Sequence, residues 1–254
     1  MNYYIALAAV LFLYMTAWFI ISLLKKRNDV ADIAWGLGFV LLAWLAYCIS
    51  GSASRPLLVN SLVTLWGTRL AWHIYRRNRC KPEDYRYQEW RREWKHFTLR
   101  SYLQIYMLQG FLLYLISLPV LFINHAPSST LEWTDYAGIA VWLIGFSFES
   151  IGDRQLKDFT RDPSNKGKII GTGLWRYSRH PNYFGEVVQW WGIFVVALSL
   201  PGSWSTVIGP LTITVLILFV SGIPLLEKKY AGRADYEEYK KRTSIFFPLP
   251  PRKT

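Results

Sequence analysis

The residues best equipped for chemistry lie in "RHPNYFGEVVQ" (179–189). Pro181 suits the first position of a helix, where its missing N–H costs nothing. From there Asn182, Glu186 and Gln189 follow at i, i+4 and i+7, one stripe of a single helical face. Arg179 and His180 come just before the helix N-terminus, where unpaired N–H groups and the macrodipole already favour an anion. Gly185 leaves room beside Glu186 for a backbone or a flat ligand. The stretch thus offers phosphate-type binding at its mouth and hydrogen bonding to a ribose or polar heterocycle below. Lys166, Lys168 and Arg176 in the preceding loop add positive charge. Upstream, "FESIGDRQLKDF" (148–159) places Glu149, Asp153 and Lys157 on one face, with Arg154 in reach of Asp158. "GTG" (171–173) does not complete G-x-G-x-x-G and follows no strand, so this is not a Rossmann site. His73, His96, His125 and His180 are scattered without metal-ligand spacing.

Other polar residues fall in apolar stretches: Asp32, the pair Arg69 and His73, and Gln104 with Gln109. An ionisable group in a spanning helix costs roughly 2.5–3.5 kcal/mol by insertion scales. Two readings compete for each: interhelical glue, or part of a site. Arg69 and Asp32 also suit a simple ion pair.

These residues need elements to position them. The 254 residues are 52% hydrophobic and carry a formal charge of +12. Long apolar runs alternate with basic loops, which points to a membrane protein obeying the positive-inside rule and away from a soluble nucleic-acid binder. About 20 apolar residues cross a bilayer core. Seven stretches qualify, near 3–24, 30–50, 57–75, 102–124, 135–156, 182–200 and 205–226. Nine basic residues lie between Arg76 and Arg100, six between 157 and 181 and eight after 226, whereas the intervening loops hold Arg55 alone. Every second loop is therefore basic. The expectation is an all-α integral membrane protein with seven transmembrane helices, N-terminus outside and C-terminus cytoplasmic. The first span has no basic residue before it and does not read as a cleavable signal. Cys48 and Cys80 fall in a span and a cytoplasmic loop, so no disulfide is expected.

The loop 76–100 carries Trp90, Trp94 and Phe97 among charges, which reads as a cytoplasmic amphipathic helix at the interface, touching anionic lipid heads. The tail 230–251 reads as a short polar helix ended by the prolines after Phe247. The chain is taken as one membrane domain, 1–254, with substrate-side helices in 1–124 and the anion-binding half in 125–254.

"GLWRYSRHPNYFGEVVQWWG" (173–192) and "EKKY…YEEYKKRTSIFFPLPP" (227–251) resemble the C-terminal half of the steroid 5-alpha-reductase-like membrane proteins. With "DVADIAWGLGF" (29–39), "RLAWHIYRRNRCKPEDYRYQEWR" (69–91) and "ESIGDRQLKDF" (149–159), the chain is similar to the DUF1295 family of that group. The resemblance implies a membrane reductase in a bacterial inner membrane, with NADPH entering from the cytoplasm and hydride passing to an activated C=C of a lipid-like or steroid-like ketone. It implies cofactor contacts at Asn182 and Glu186, at Tyr236, Tyr239 and Arg242, and more loosely at Asp153 and Lys157. Arg179, His180, Tyr183, Arg176, Lys166 and Lys168 complete the expected cofactor set, the basic ones gripping the pyrophosphate and 2′-phosphate. Steroid reductases hold the substrate oxygen with an early-helix glutamate and a tyrosine on the next helix. Here the early carboxylates are Asp29 and Asp32, and Trp66 falls where that tyrosine would be. Asp32, kept protonated by burial, is the first candidate for the proton donor, with Tyr85 and Tyr87 as others.

Two further readings stay open. Membrane methyltransferases that bind S-adenosylmethionine also carry R-H-P-x-Y-x-G before a helix, though without the Asn182–Glu186 pair. A non-catalytic lipid-binding protein on the same fold is the other. No protein partner is evident beyond membrane lipids and an apolar substrate.

Overall fold

The computed structural model describes residues 2–51, 53–79, 81–126 and 130–252; Cys80 lies outside them. The described residues are helical and contain no strand, only an isolated bridge between Ser178 and Ser244. The principal helices are α1 Tyr3–Lys25, α2 Val30–Ser50, α3 Ser54–Asn78, α4 Tyr85–Glu93, α5 Phe97–Arg100, α6 Leu108–His125, α7 Trp133–Arg161, α8 Pro181–Ala197, α9 Ile208–Val215, α10 Ile223–Tyr230 and α11 Ala234–Arg242. A π-helical stretch, Ser101–Met107, joins α5 to α6. Another, Leu216–Val220, joins α9 toward α10. The contacts cluster into two compact units, one of residues 1–131 with 200–208 and one of 132–199 with 209–254.

In the first unit, α1 starts on an Asn2 cap, whose side chain accepts from the Tyr4 N–H, and stops where Lys26 turns left-handed at φ 53°. Helices α2 and α3 approach closely: a Cβ on Gly36 would sit 2.7 Å from the Gly67 carbonyl oxygen. Asn60 and Asn124 exchange reciprocal 3.0 Å amide hydrogen bonds between α3 and α6. In an apolar interior this satisfies both side chains at once. Leu7, Leu11 and Met15 of α1 are buried at helical spacing, while Phe12, Leu13 and Ile20 face outward.

In the second unit, α7 and α8 run antiparallel along a seam of glycines. Gly138, Gly145 and Gly152 recur every seven residues on α7; Gly185 and Gly192 do so on α8. A Cβ on Gly145 would lie 2.6 Å from the Gly185 oxygen and 2.7 Å from the Gln189 nitrogen, and one on Gly138 would lie 2.6 Å from the Gly192 oxygen. A strict heptad keeps the same face toward a neighbour crossing at a shallow angle, and small residues there let backbones touch. After α9, the Leu216–Val220 stretch ends in a break at Gly222, and Pro224 opens α10 in its first turn.

The expected spans coincide with helical segments, except that 182–200 runs past the end of α8 at Ala197 and 205–226 is broken at Ser221 and Gly222. Four segments are long and apolar enough to cross a membrane: Tyr3–Lys25, Val30–Ser50, Phe97–His125 and Ser203–Tyr230. The α8 helix has 17 residues, about 26 Å at 1.5 Å per residue, short of a bilayer core of about 30 Å.

Two local expectations are corrected. The segment 76–100 is not one helix: α4 stops at Glu93, and His96 turns left-handed at φ 54° before α5 begins. Trp90 and Trp94 nonetheless stack, with centroids 5.1 Å apart. The tail helix ends at Arg242, before the prolines, because residues from Thr243 onward pair with another loop. Gly185→Val is expected to lower the thermal unfolding midpoint of detergent-purified protein, by an overpacking cost of about 1–3 kcal/mol or more. Gly171→Ala, whose Cβ would meet its nearest neighbour, the Tyr239 ring, at 3.9 Å, should leave that midpoint unchanged.

Candidate functional site

The loop before α8 is held by the chain's C-terminal segment. The Arg179 N–H donates to the Ser244 carbonyl at 2.8 Å and the Leu249 N–H to the Tyr177 carbonyl at 3.1 Å. Ser178 Oγ donates to the Phe246 carbonyl at 2.8 Å, and Thr243 Oγ1 to the Arg176 carbonyl at 3.3 Å. Tyr239 donates its hydroxyl to the Trp175 carbonyl. Backbone polar groups in such a loop must be satisfied, and the tail satisfies them. Phe246 is buried and packs edge-on to Phe184 of α8 at 5.5 Å.

Within this clasp Glu227 is a hub. Tyr236 donates its hydroxyl to Glu227 Oε1 at 2.7 Å, and His180 Nε2 lies 3.1 Å from the same oxygen. Arg179 Nη1 is 3.4 Å and Lys240 Nζ 3.7 Å from Oε2. Burial holds the Tyr236 and Tyr239 hydroxyls above their ordinary pKa, so both are protonated donors at neutral pH. The Arg179 contact is an ion pair by distance but not an aligned hydrogen bond: its Nε and Nη1 are buried with no hydrogen-bond partner among the described residues. The His180 ring stacks on Tyr183 at 5.8 Å.

The α7–α8 seam carries the polar stripes. Asn182 donates to Asp153 Oδ1 at 3.1 Å. Gln189 donates to Glu149 Oε2, and both are almost fully buried. Gln189 Oε1 has no hydrogen-bond partner among the described residues. Trp175 Nε1 donates to the Gly152 carbonyl at 3.1 Å and the Leu174 N–H to Gln155 Oε1 at 2.9 Å, which ties the loop to α7.

Beside the clasp lies a cleft of 930 Å³, lined by Lys168, Arg176, Arg242 and Arg252, with Tyr239 in its wall and Asp235 and Glu238 also lining it. Arg242 is already engaged by Glu238 at 2.6 Å. The Arg233 guanidinium beside Asp235 holds that carboxyl below its usual range, so it is charged at neutral pH.

The expected cofactor residues therefore separate into three groups. Arg179, His180, Tyr183 and Tyr236 surround or adjoin the Glu227 hub. Asp153, Asn182 and Glu186 belong to the helix pair, with Glu186 half-buried. Lys168, Arg176, Tyr239 and Arg242 line the cleft, while Lys166 and Lys157 are exposed outside its lining. Glu227 and Arg252 were missed. The signal for Glu227 was a lone carboxylate at the end of the last apolar run. Arg252 follows a proline-rich stretch and offered no signal.

In the first unit Asp32 and Tyr87 do come together: the Tyr87 hydroxyl donates to Asp32 Oδ1 at 2.7 Å. Arg86 Nη2 lies 3.3 Å and Arg77 Nη2 3.8 Å from Asp32 Oδ2. These two guanidiniums flank the carboxyl that accepts from Tyr87. Burial, reinforced by the Asp32 carboxylate, pushes the Tyr87 hydroxyl well above the ordinary tyrosine value. Tyr85 is exposed on the same helix. Trp66 is buried edge-on to Phe39 at 5.3 Å. Arg154 pairs with Asp158 at 3.7 Å on the surface.

Glu227→Ala removes the one acceptor shared by four donors. Its cost should be about 3–5 kcal/mol, the range for stranding buried partners, read as a lowered unfolding midpoint. Glu227→Gln, which keeps an acceptor for Tyr236, should lose distinctly less.

An uncharacterised protein of Schizosaccharomyces pombe is 26% identical over 266 residues, covering 90% of this chain and 74% of its own length. The rat 3-oxo-5-alpha-steroid 4-dehydrogenase 1 is 29% identical over 115 residues, and the bovine enzyme of that name 31% identical over 112. Each of those two matches covers 44% of this chain and 40% of the enzyme, so the likeness spans less than half of either protein. No solved structure matches the chain. The family described as protein of unknown function, DUF1295, matches residues 18–243, and the chain belongs to that family.

Proposed function

We propose that the protein is a membrane reductase that binds NADPH on its second unit and reduces an activated C=C bond of a lipid-like or steroid-like ketone. The observation that carries the reading is Arg179: nine-tenths buried at the start of α8, with Nε and Nη1 lacking hydrogen-bond partners among the described residues. A buried guanidinium left in that state is costly unless an anionic ligand completes it. The likeness to 3-oxo-5-alpha-steroid 4-dehydrogenases supports the oxidoreductase class.

The residues present suit a phosphorylated dinucleotide. Arg179, at the N-terminus of α8, supplies charge where the helix dipole also favours an anion. Lys168, Arg176, Arg242 and Arg252 line a cleft large enough for a nucleotide portion and hold its phosphate charge. Asn182 and Gln189, fixed by Asp153 and Glu149, present amide groups to the ring or ribose. NADPH, when bound, would supply hydride to one carbon of the double bond and leave as NADP⁺, and a proton taken up from water at the other carbon would complete the reduction. Tyr87 donates its one hydroxyl proton to Asp32 in the resting pair; in the proposal that hydroxyl turns from Asp32 to the substrate oxygen and stabilises the negative charge growing there by hydrogen bonding, the oxyanion-hole principle. Asp32 is the acceptor that orients Tyr87 in the resting pair, with Arg86 and Arg77 beside it. Seven crossings, with the N-terminus outside and the basic loops in the cytoplasm of a bacterial inner membrane, complete the proposal. This orientation puts the site's basic loops where a soluble nucleotide is available.

The test is cofactor identity and affinity. Purified protein should enhance or quench NADPH fluorescence saturably. Arg179→Ala should weaken that binding about 10–100-fold, the loss expected for a charge-assisted hydrogen bond. Copurification of S-adenosylmethionine, or equal NADPH affinity in Arg179→Ala, would overturn the reading. Arg176→Ala with Arg252→Ala should narrow the preference for NADPH over NADH. On an enone panel, Tyr87→Phe should lower kcat about 10²–10³-fold while leaving NADPH affinity intact.

A further inference from the structure

A second recess lies in the first unit, apart from the residues proposed for the reductase. A recess of 320 Å³ opens where α1 ends, between Lys26, Asn28 and the turn that carries Arg91, Phe97 and Ser101. That volume is at the lower end of the range for small-molecule clefts, about 300–1,000 Å³. Two observations there point to a ligand. Ser101 is 1% exposed, yet its Oγ has no hydrogen-bond partner among the described residues and the residue lines the recess. Lys26 also lines it, and no carboxylate of the described residues lies within ion-pair distance of its ammonium. Arg91 adds a cation held over the Phe97 ring at 4.4 Å, though Glu83 at 3.1 Å already compensates its charge.

The surroundings identify the ligand's other end. Leu23 and Leu24, just before Lys26 on α1, are 47% and 78% exposed, on a helix apolar enough to cross a membrane. Trp94 stacks on Trp90, and Arg100 lies over the Trp94 ring at 5.6 Å. Alternating indole rings and guanidiniums of this kind belong at the bilayer interface. The recess thus joins a cation and an unpaired hydroxyl donor above to exposed leucines below.

We infer that this recess binds the phosphodiester headgroup of one anionic phospholipid, with Lys26 Nζ and Ser101 Oγ–H as the phosphate's donors and the acyl chains running down α1 past Leu23. The site is a defined stoichiometric one, beyond the diffuse attraction that any basic loop has for an anionic leaflet. The residue at position 26 must adopt a left-handed backbone, and asparagine tolerates that conformation. Lys26→Asn therefore removes the charge without disturbing the turn.

Native mass spectrometry of the full chain in detergent, titrated with phosphatidylglycerol, reads the site directly. One tight lipid adduct is expected, and a weaker one with phosphatidylcholine, which has the same phosphate but a choline cation that Lys26 and Arg91 repel. Lys26→Asn and Ser101→Ala should each weaken that adduct about tenfold. Lys25→Asn removes the same charge one residue outside the recess and should leave it unchanged. Equal weakening by Lys25→Asn would reduce the effect to diffuse charge and overturn the site. Equal retention of phosphatidylcholine would overturn the anionic-lipid assignment, and competition by soluble glycerol phosphate at comparable affinity would overturn a lipid ligand altogether. NADPH binding should be the same in all three variants, which separates this site from the proposed reductase function.

Discussion

The second unit depends on how closely α7 and α8 approach. Backbone meets backbone at Gly138, Gly145 and Gly152 on one helix and at Gly185 and Gly192 on the other. Dispersion between close backbones and hydrogen bonds across the seam carry the association. The glycines also set the register. Because they face one another every seven residues, Glu149 is brought to Gln189 and Asp153 to Asn182. Those side chains would be costly alone in an apolar layer; paired, they hold each other's amide and carboxylate groups in fixed directions.

The same seam decides where α8 begins and what its N-terminus can do. The preceding loop holds only two short 3-10 helices, Pro163–Asn165 and Gly173–Arg176, and it is tied to α7 on one side and to the C-terminal segment on the other. The tail thereby makes a rigid platform of residues 175–180. Glu227 then divides the basic residues by role. Arg179 and His180 are drawn inward around a carboxylate, while Lys168, Arg176 and Arg252 stay exposed at the cleft. A platform of this kind is preorganised, so ligand binding need not also order it.

In the first unit, polar groups follow the same rule of pairing. Asn60 with Asn124, and Asp32 with Tyr87 and two arginines, are each completed by groups from other segments. Where a pairing is left incomplete, as at Ser101, the recess around it marks a place for something outside the chain. The left-handed turns at Lys26 and His96 shape that region by ending one helix and starting another without glycine.

Much of this architecture is legible from local pattern. Apolar runs of about 20 residues, alternating basic loops and the stripe Asn182, Glu186, Gln189 depend on periodicity and composition alone, so the helices appear where the sequence places them. The anion-favouring start of α8 follows from Arg179, His180 and Pro181 for the same local reason. What needed the tertiary structure is every relation between distant residues. Nothing near Asp32 in sequence indicates that Tyr87 and Arg86, more than fifty residues on, complete it. Nothing near Arg179 indicates that Glu227 draws it inward, or that the residues after Arg242 clasp the loop instead of continuing a helix. Helix formation is governed by neighbours within a turn, whereas the state of a buried charge is set by whichever group the folded chain brings within a few ångströms.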